Sequence, residues 1–129
     1  MIRFVDEEQG TGLDLVAATE TFFSESGLLS KAKNFEFRLE QQQMAVAVAK
    51  ALKGSEHLIV EAGTGVGKSL AYLVPAIFHA VSQNKKAVVS THTINLQEQL
   101  TEKDLPMLKQ ILPVEFTYTM LKGRGNYLC

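Results

Sequence analysis

The stretch Leu58-Ile59-Val60-Glu61-Ala62-Gly63-Thr64-Gly65-Val66-Gly67-Lys68-Ser69-Leu70 decides how this chain is read. Leu58 to Val60 is a short apolar run ending in a glycine-rich turn, the pattern of a buried strand. After Gly67-Lys68-Ser69, apolar residues recur at helical spacing. Strand, glycine-rich turn and helix in that order make a phosphate-binding loop between a parallel strand and its crossover helix. Gly63, Gly65 and Gly67 lack Cβ atoms, so the backbone there can turn its N–H groups inward around phosphate oxygens. The helix that begins near Gly67 aims its unpaired N–H groups and the positive end of its dipole at the same anion. Lys68 can place an ammonium on the β- and γ-phosphates, and the Ser69 hydroxyl can ligate Mg²⁺. The usual form of the loop is G-x-x-x-x-G-K-S/T, and its first glycine position is Ala62 here. A glycine-rich turn with an incidental lysine is the alternative. It would have to bring the glycines, Lys-Ser and both flanking elements together by chance.

Downstream, Leu70, Leu73, Val74, Ile77, Phe78 and Val81 are spaced for a helix that contains Pro75, where a kink is expected. Ser82 to Lys86 is a polar turn, and Ala87-Val88-Val89-Ser90 reads as a second strand. The length from Val60 to Ala87 suits a right-handed parallel crossover. Ligands of open α/β sheets bind beyond the carboxyl ends of the strands, so Thr91, His92, Thr93 and Asn95 are expected near the phosphate loop. Hydroxyls, an amide and helix-start N–H groups suit phosphodiester contacts. Simple capping of the next helix, by Thr93 or Thr91, explains the threonines equally well. His92 has no second ligand at metal-binding spacing. Glu102-Lys103-Asp104 reads as a charged turn, and with Pro106 it is expected to interrupt the helical stretch that runs to about Leu112, where Pro113 stops it. Val114 to Leu121 alternates, is rich in β-branched and aromatic residues, and reads as a third strand.

Upstream, residues 1–12 are polar and read as a loose terminus. Leu13, Val16, Ala17, Glu20 and Phe23 give a short amphipathic helix ended by Gly27, with Leu28 and Leu29 as anchors. Leu39 to Lys53 is a helix whose buried stripe is Met44, Ala45, Val48, Ala49 and Leu52, capped by Gly54. Arg38 and Gln41 stand at its entrance. An amide there can donate to and accept from an adenine edge. A solvated glutamine-rich turn is the plainer reading of the same residues.

The 129 residues suffice for one small domain, and the 46% hydrophobic and 21% charged shares are ordinary for a globular protein. No apolar run approaches the roughly 20 residues of a membrane span. The start turns acidic at Asp6-Glu7-Glu8, unlike a secretory signal, so a cytoplasmic location and no membrane partner are expected. The net charge, 13 − 14 = −1, lends a dedicated nucleic-acid binder no electrostatic support; a local positive surface or further parts would have to supply it. The single cysteine, Cys129, excludes an internal disulfide, and a chain ending there is expected to be cut off.

With these residues in view, the chain resembles the amino-terminal part of DinG-type helicases, iron–sulfur relatives of XPD in superfamily 2. Glu61-Ala62-Gly63-Thr64-Gly65-Val66-Gly67-Lys68-Ser69 is similar to that family's Walker A loop. Arg38-Leu39-Glu40-Gln41 resembles its adenine-reading Q-motif, and Ser90 to Leu100 resembles motif Ia, which touches the single-strand backbone. Lys122-Gly123-Arg124-Gly125-Asn126-Tyr127-Leu128-Cys129 resembles the lead-in to the first cysteine of the iron–sulfur region. The resemblance implies an α/β, RecA-like P-loop NTPase lobe, incomplete, with residues 27–129 as its first part and 1–26 as an extension. It implies ATP hydrolysis coupled to 5′–3′ translocation on single-stranded DNA, with a place in DNA repair. Arg38, Gln41 and Ala62 through Ser69 would bind the nucleotide, with Lys68 catalytic. Ser69 would hold Mg²⁺, while Thr91, His92, Thr93 and Asn95 would touch DNA. Cys129 would be the first ligand of a four-iron, four-sulfur cluster, which needs four thiolates and so cannot form on this chain alone. The family's Asp-Glu-Ala-His box and second motor lobe are absent. Another P-loop NTPase, or a non-catalytic nucleotide-binding module, is the alternative.

Overall fold

In the computed structural model, residues 14–32, 35–63 and 67–121 are described. The chain divides into two compact units, Met1–Ala87 and Val88–Cys129.

The first unit is built on helices. Helix α1 (Leu15–Phe22) opens on Asp14, whose Oδ1 accepts from the Ala17 N–H at 3.1 Å. Its buried face is Leu15, Thr19 and Phe22, continued by Phe23. That corrects the expected face of Leu13, Val16, Ala17, Glu20 and Phe23: Ala17 and Glu20 are exposed, and Leu13 lies outside the described residues. Thr19 is polar yet wholly buried, its hydroxyl included, so spacing of apolar residues alone chose the wrong phase. Gly27 starts the short helix α2 (Leu28–Lys31) rather than ending α1. A Cβ on Gly27 would collide with the carbonyl oxygens of Thr21 and Phe22, so the chain can pass this close to the end of α1 only without a side chain. Leu29 is buried, while Leu28 is 42% exposed.

Helix α3 (Leu39–Lys53) buries Gln41, Ala45 and Ala49 on one line at four-residue spacing, and helix α4 (Lys68–Gln83) packs against it. The small alanines let the two helices approach. Helix α4 buries Leu70, Ala71, Leu73, Val74, Pro75, Ile77 and Phe78 and runs unbroken through Pro75. Phe78 meets Phe22 edge-to-face at 6.4 Å, and Phe22 meets Phe23 at 5.1 Å. Each such ring contributes about 1.5–3 kcal/mol by leaving water. Gly54 caps α3 as expected, but with φ −87°. The left-handed residue is Ser55, φ +55°. Glu56 N–H donates to Ala51 O at 2.8 Å and Ser55 N–H to Leu52 O at 3.2 Å, the paired bonds of a Schellman ending.

In the second unit, helix α5 (Ile94–Gln99), a π-helical turn (Leu100–Asp104) and helix α6 (Leu105–Ile111) follow one another without a break. The expected charged turn is therefore a widened helical turn, in which the Leu105 N–H reaches Leu100 O. Pro106 gives the reason. Its ring crowds the carbonyl four residues earlier and brings no N–H, and the wider turn before it relieves both problems.

Among the described residues there is no strand ladder. Leu58 to Val60, expected as a buried strand, is exposed at 44%, 97% and 41%. The segments 87–90 and 114–121 are likewise unpaired. Residues 87–90 are all exposed; in 114–121 Val114, Phe116 and Met120 are half-buried and Glu115, Thr117, Thr119 and Leu121 exposed, an alternation that Tyr118, 40% exposed, interrupts. A strand is stabilised by cross-strand partners, whereas a helix satisfies its own backbone; so the helical half of the expected α/β lobe is the half present here.

Candidate nucleotide-binding loop

The site is assembled where α3 begins and α4 begins. Gly67 caps α4 with φ +81° and ψ 46°, a left-handed conformation that favours glycine. Its carbonyl accepts two donors: the Ala71 N–H at 3.3 Å and the Gln41 Nε2 at 3.1 Å. A Cβ on Gly67 would collide with that Gln41 amide and would stand 3.8 Å from Arg38 Nη1. Arg38, Gln41 and Gly67 thus meet although the sequence separates them widely. Gln41 is 5% exposed, which sets aside the solvated-turn reading.

Lys68 is the first residue of α4, and its Nζ donates to Ala62 O at 3.3 Å across the loop. Both groups sit at the surface, so this neutral acceptor is readily exchanged for a charged one. Ser69, half-buried, stands beside it in the first helical turn. Gly63 is exposed, and a Cβ there would meet nothing within 4 Å, so its open side leaves room for a ligand to approach the backbone. Thr64, Gly65 and Val66 lie outside the described residues, as does Cys129. Among the described residues no group of three or more His, Cys, Asp or Glu side chains could hold a metal ion. A divalent ion at this loop would rest on one hydroxyl and on its ligand's own oxygens, as Mg²⁺ does with phosphates.

The predicted DNA-contacting residues belong to the second unit. Thr93 is the N-cap of α5, its Oγ1 accepting from the Leu96 N–H at 3.2 Å, and the Thr91 hydroxyl donates to Thr93 O at 3.2 Å. The choice between Thr93 and Thr91 as cap thus falls to Thr93. His92, Thr93 and Asn95 are exposed and Thr91 is half-buried. The capping bond uses only an acceptor site of Thr93, so its O–H remains able to donate outward.

Residues 40–124 match the model of the DEAD/DEAH box helicase family. The chain belongs to that family. Among its relatives, the ATP-dependent helicase DinG of Mycobacterium tuberculosis (strain H37Ra) is 55% identical over 96 residues, covering 71% of this chain and 14% of the relative. The ATP-dependent DNA helicase YoaA of Haemophilus influenzae is 47% identical over 108 residues, 83% of this chain and 16% of the relative. The ATP-dependent DNA helicase DinG of Escherichia coli K12 is 47% identical over 104 residues, 79% and 14%. The chain therefore spans about one seventh of the length of these helicases. In this DEAD/DEAH box chain, the residues that sequence reasoning overlooked lie beside the loop rather than in it. Gln42 Nε2 donates to Glu20 O in α1 at 2.9 Å. A signal was present: Arg38 at the helix entrance is no capping residue, and a run of amides follows it.

Proposed function

We propose that this chain is the nucleotide-gripping part of an ATP-dependent DNA helicase, within the first RecA-like lobe, with residues 27–129 as the lobe's opening and 1–26 as an extension. The observation that carries the reading is the meeting of Arg38 and Gln41 with Gly67 at the mouth of a loop whose lysine begins a long helix. In this reading Ala62, Gly63, Thr64, Gly65, Val66 and Gly67 wrap the phosphates of ATP, and Arg38 and Gln41 fix the base. Lys68 gives up Ala62 O for the phosphates and neutralises charge that develops during transfer. Ser69 contributes its hydroxyl to Mg²⁺, which would spread that charge further. Thr91, His92, Thr93 and Asn95 rest on phosphodiesters of single-stranded DNA, a contact that carries no base information. Cys129 supplies one thiolate to an iron–sulfur cluster completed by cysteines that this sequence lacks. We place the protein in the cytoplasm, in DNA repair.

No residue here is available in the sequence pattern that orients an attacking water, so the chain alone is expected to bind ATP and turn it over negligibly. Lys68→Ala tests the reading. In a polypeptide carrying the complete motor, it should abolish DNA-stimulated ATP hydrolysis with the melting temperature unchanged. Hydrolysis at the unsubstituted rate would show that the lysine has been misassigned.

A further inference from the structure

Helix α1 carries none of the motifs that mark the family, yet it touches both helices that make the loop. Its last carbonyls need partners, as at any helix end. The Thr19 carbonyl accepts from the Phe23 N–H at 3.3 Å, and the Thr21 carbonyl takes the Ser24 N–H at 3.2 Å and the Ser24 hydroxyl at 2.7 Å. The Glu20 carbonyl is taken from outside, by Gln42 Nε2 at 2.9 Å.

The other end of that bond is equally exposed to loss. Helix α3 starts at Arg38 with no side-chain cap. Its first backbone bond, Gln42 N–H to Arg38 O, is 3.1 Å long. An uncapped first turn frays unless something outside the helix holds it. Two adjacent side chains do so here. Gln42 ties the turn back to α1, and Gln41, buried, ties it forward to the Gly67 carbonyl. Behind them, Phe22 of α1 meets Phe78 of α4 at 6.4 Å. The entrance of α3 is thus clasped between α1 and the end of the loop.

We propose that Gln42 is a positioning residue for the nucleotide base, and that α1 is the brace it pulls against. Gln42 touches no nucleotide. It fixes the turn that carries Arg38 and Gln41, so that Gln41 stands at the loop before ATP arrives, and the ordering cost of placing that amide is met in advance. This rests on the nucleotide reading above, and it assigns a role to the amino-terminal helix.

The test uses the 129-residue chain and two ligands, Mg·ATP and inorganic tripolyphosphate with Mg²⁺, which offers the phosphates without a base. Gln42→Ala, and Gln42→Glu as an isosteric variant without the donor, should weaken ATP binding about fivefold, the scale of one neutral hydrogen bond. Tripolyphosphate binding should change by less than about twofold. Gln42→Lys, which restores a long N–H donor, should recover most of the ATP affinity. Variants that bind both ligands as the wild type does would overturn the proposal. So would an equal loss for both ligands accompanied by a lower melting temperature, the signature of a purely structural role. A wild-type chain that binds neither ligand would overturn the nucleotide reading itself, and this proposal with it.

Discussion

The two units of this chain treat their apolar residues very differently. In the first, the rings of Phe22, Phe23 and Phe78, Ala45 and Ala49 of α3 and nearly the whole inner face of α4 are out of water. Among the described residues of the second, only Leu100, Leu108 and Leu112 are buried, while Val88 is 92% and Leu121 81% exposed. Composition does not separate them; the kind of element does. The first unit's buried apolar residues sit on helices and their ends, which satisfy their own backbones and need only a neighbouring face, while its own strand-like segment 58–60 stays exposed, Ile59 at 97%. The second unit divides its apolar residues between the helical run 94–111 and segments of strand-like pattern, which need a ladder as well as a face. Helical packing around the loop is therefore self-sufficient in a way that the apolar segments are not.

The largest expected consequence is in stability. Phe78→Ala empties a site that Phe22 and α3 cannot refill, and it should cost about 3–5 kcal/mol in urea unfolding. Phe116→Ala removes a half-buried ring that meets Tyr118 at 6.3 Å and Lys109 Nζ at 5.9 Å, and it should cost less than about 1 kcal/mol. Equal costs would erase the contrast between the units. A smaller effect sharpens the account of the first unit. Ser55 occupies the left-handed position that ends α3, so Ser55→Gly should raise stability by about 1 kcal/mol, read from the same unfolding curve. No gain would mean that the turn is not under strain.

The smallest effect belongs to the second unit and depends on pH. Burial raises the Asp104 carboxyl above its ordinary 3.8, against the opposing pull of Gln99 and Lys103, and its Oδ2 has no hydrogen-bond partner. The folded form therefore holds this proton more tightly than the unfolded form. Stability from this group is greatest below 3.8, falls as pH rises through the folded pKa, and is level above it. Asp104→Asn should flatten that fall, as measured by unfolding across the acid range. An unchanged slope would place the pH dependence elsewhere.

Much of the helical part was legible in the sequence. Apolar periodicity placed α3 at its observed bounds, and the glycine-rich turn placed the start of α4 near Gly67, next to its first residue Lys68. The phase of α1 was not legible, because Thr19 is polar by name and apolar by placement. Nor was the π turn, which arises from the steric demand of Pro106 on the turn before it. The strands were legible as patterns of alternation and not as ladders, since pairing is a property of neighbours rather than of a segment. At the site, Lys68 and the glycines announce themselves by spacing. The Gln41–Gly67 bond joins positions 26 apart, and local pattern carries no such information.

In the proposed reading the phosphate loop and the entrance of α3 form one nucleotide site. Titrating the isotope-labelled chain with Mg·ATP and following backbone amides by NMR tests it most directly. Large shifts are expected at Gly63, Gly67, Lys68 and Ser69 together with Arg38 and Gln41, all lost in Lys68→Ala. Shifts confined to the loop with Arg38 and Gln41 unmoved, or binding that survives Lys68→Ala, would contradict it.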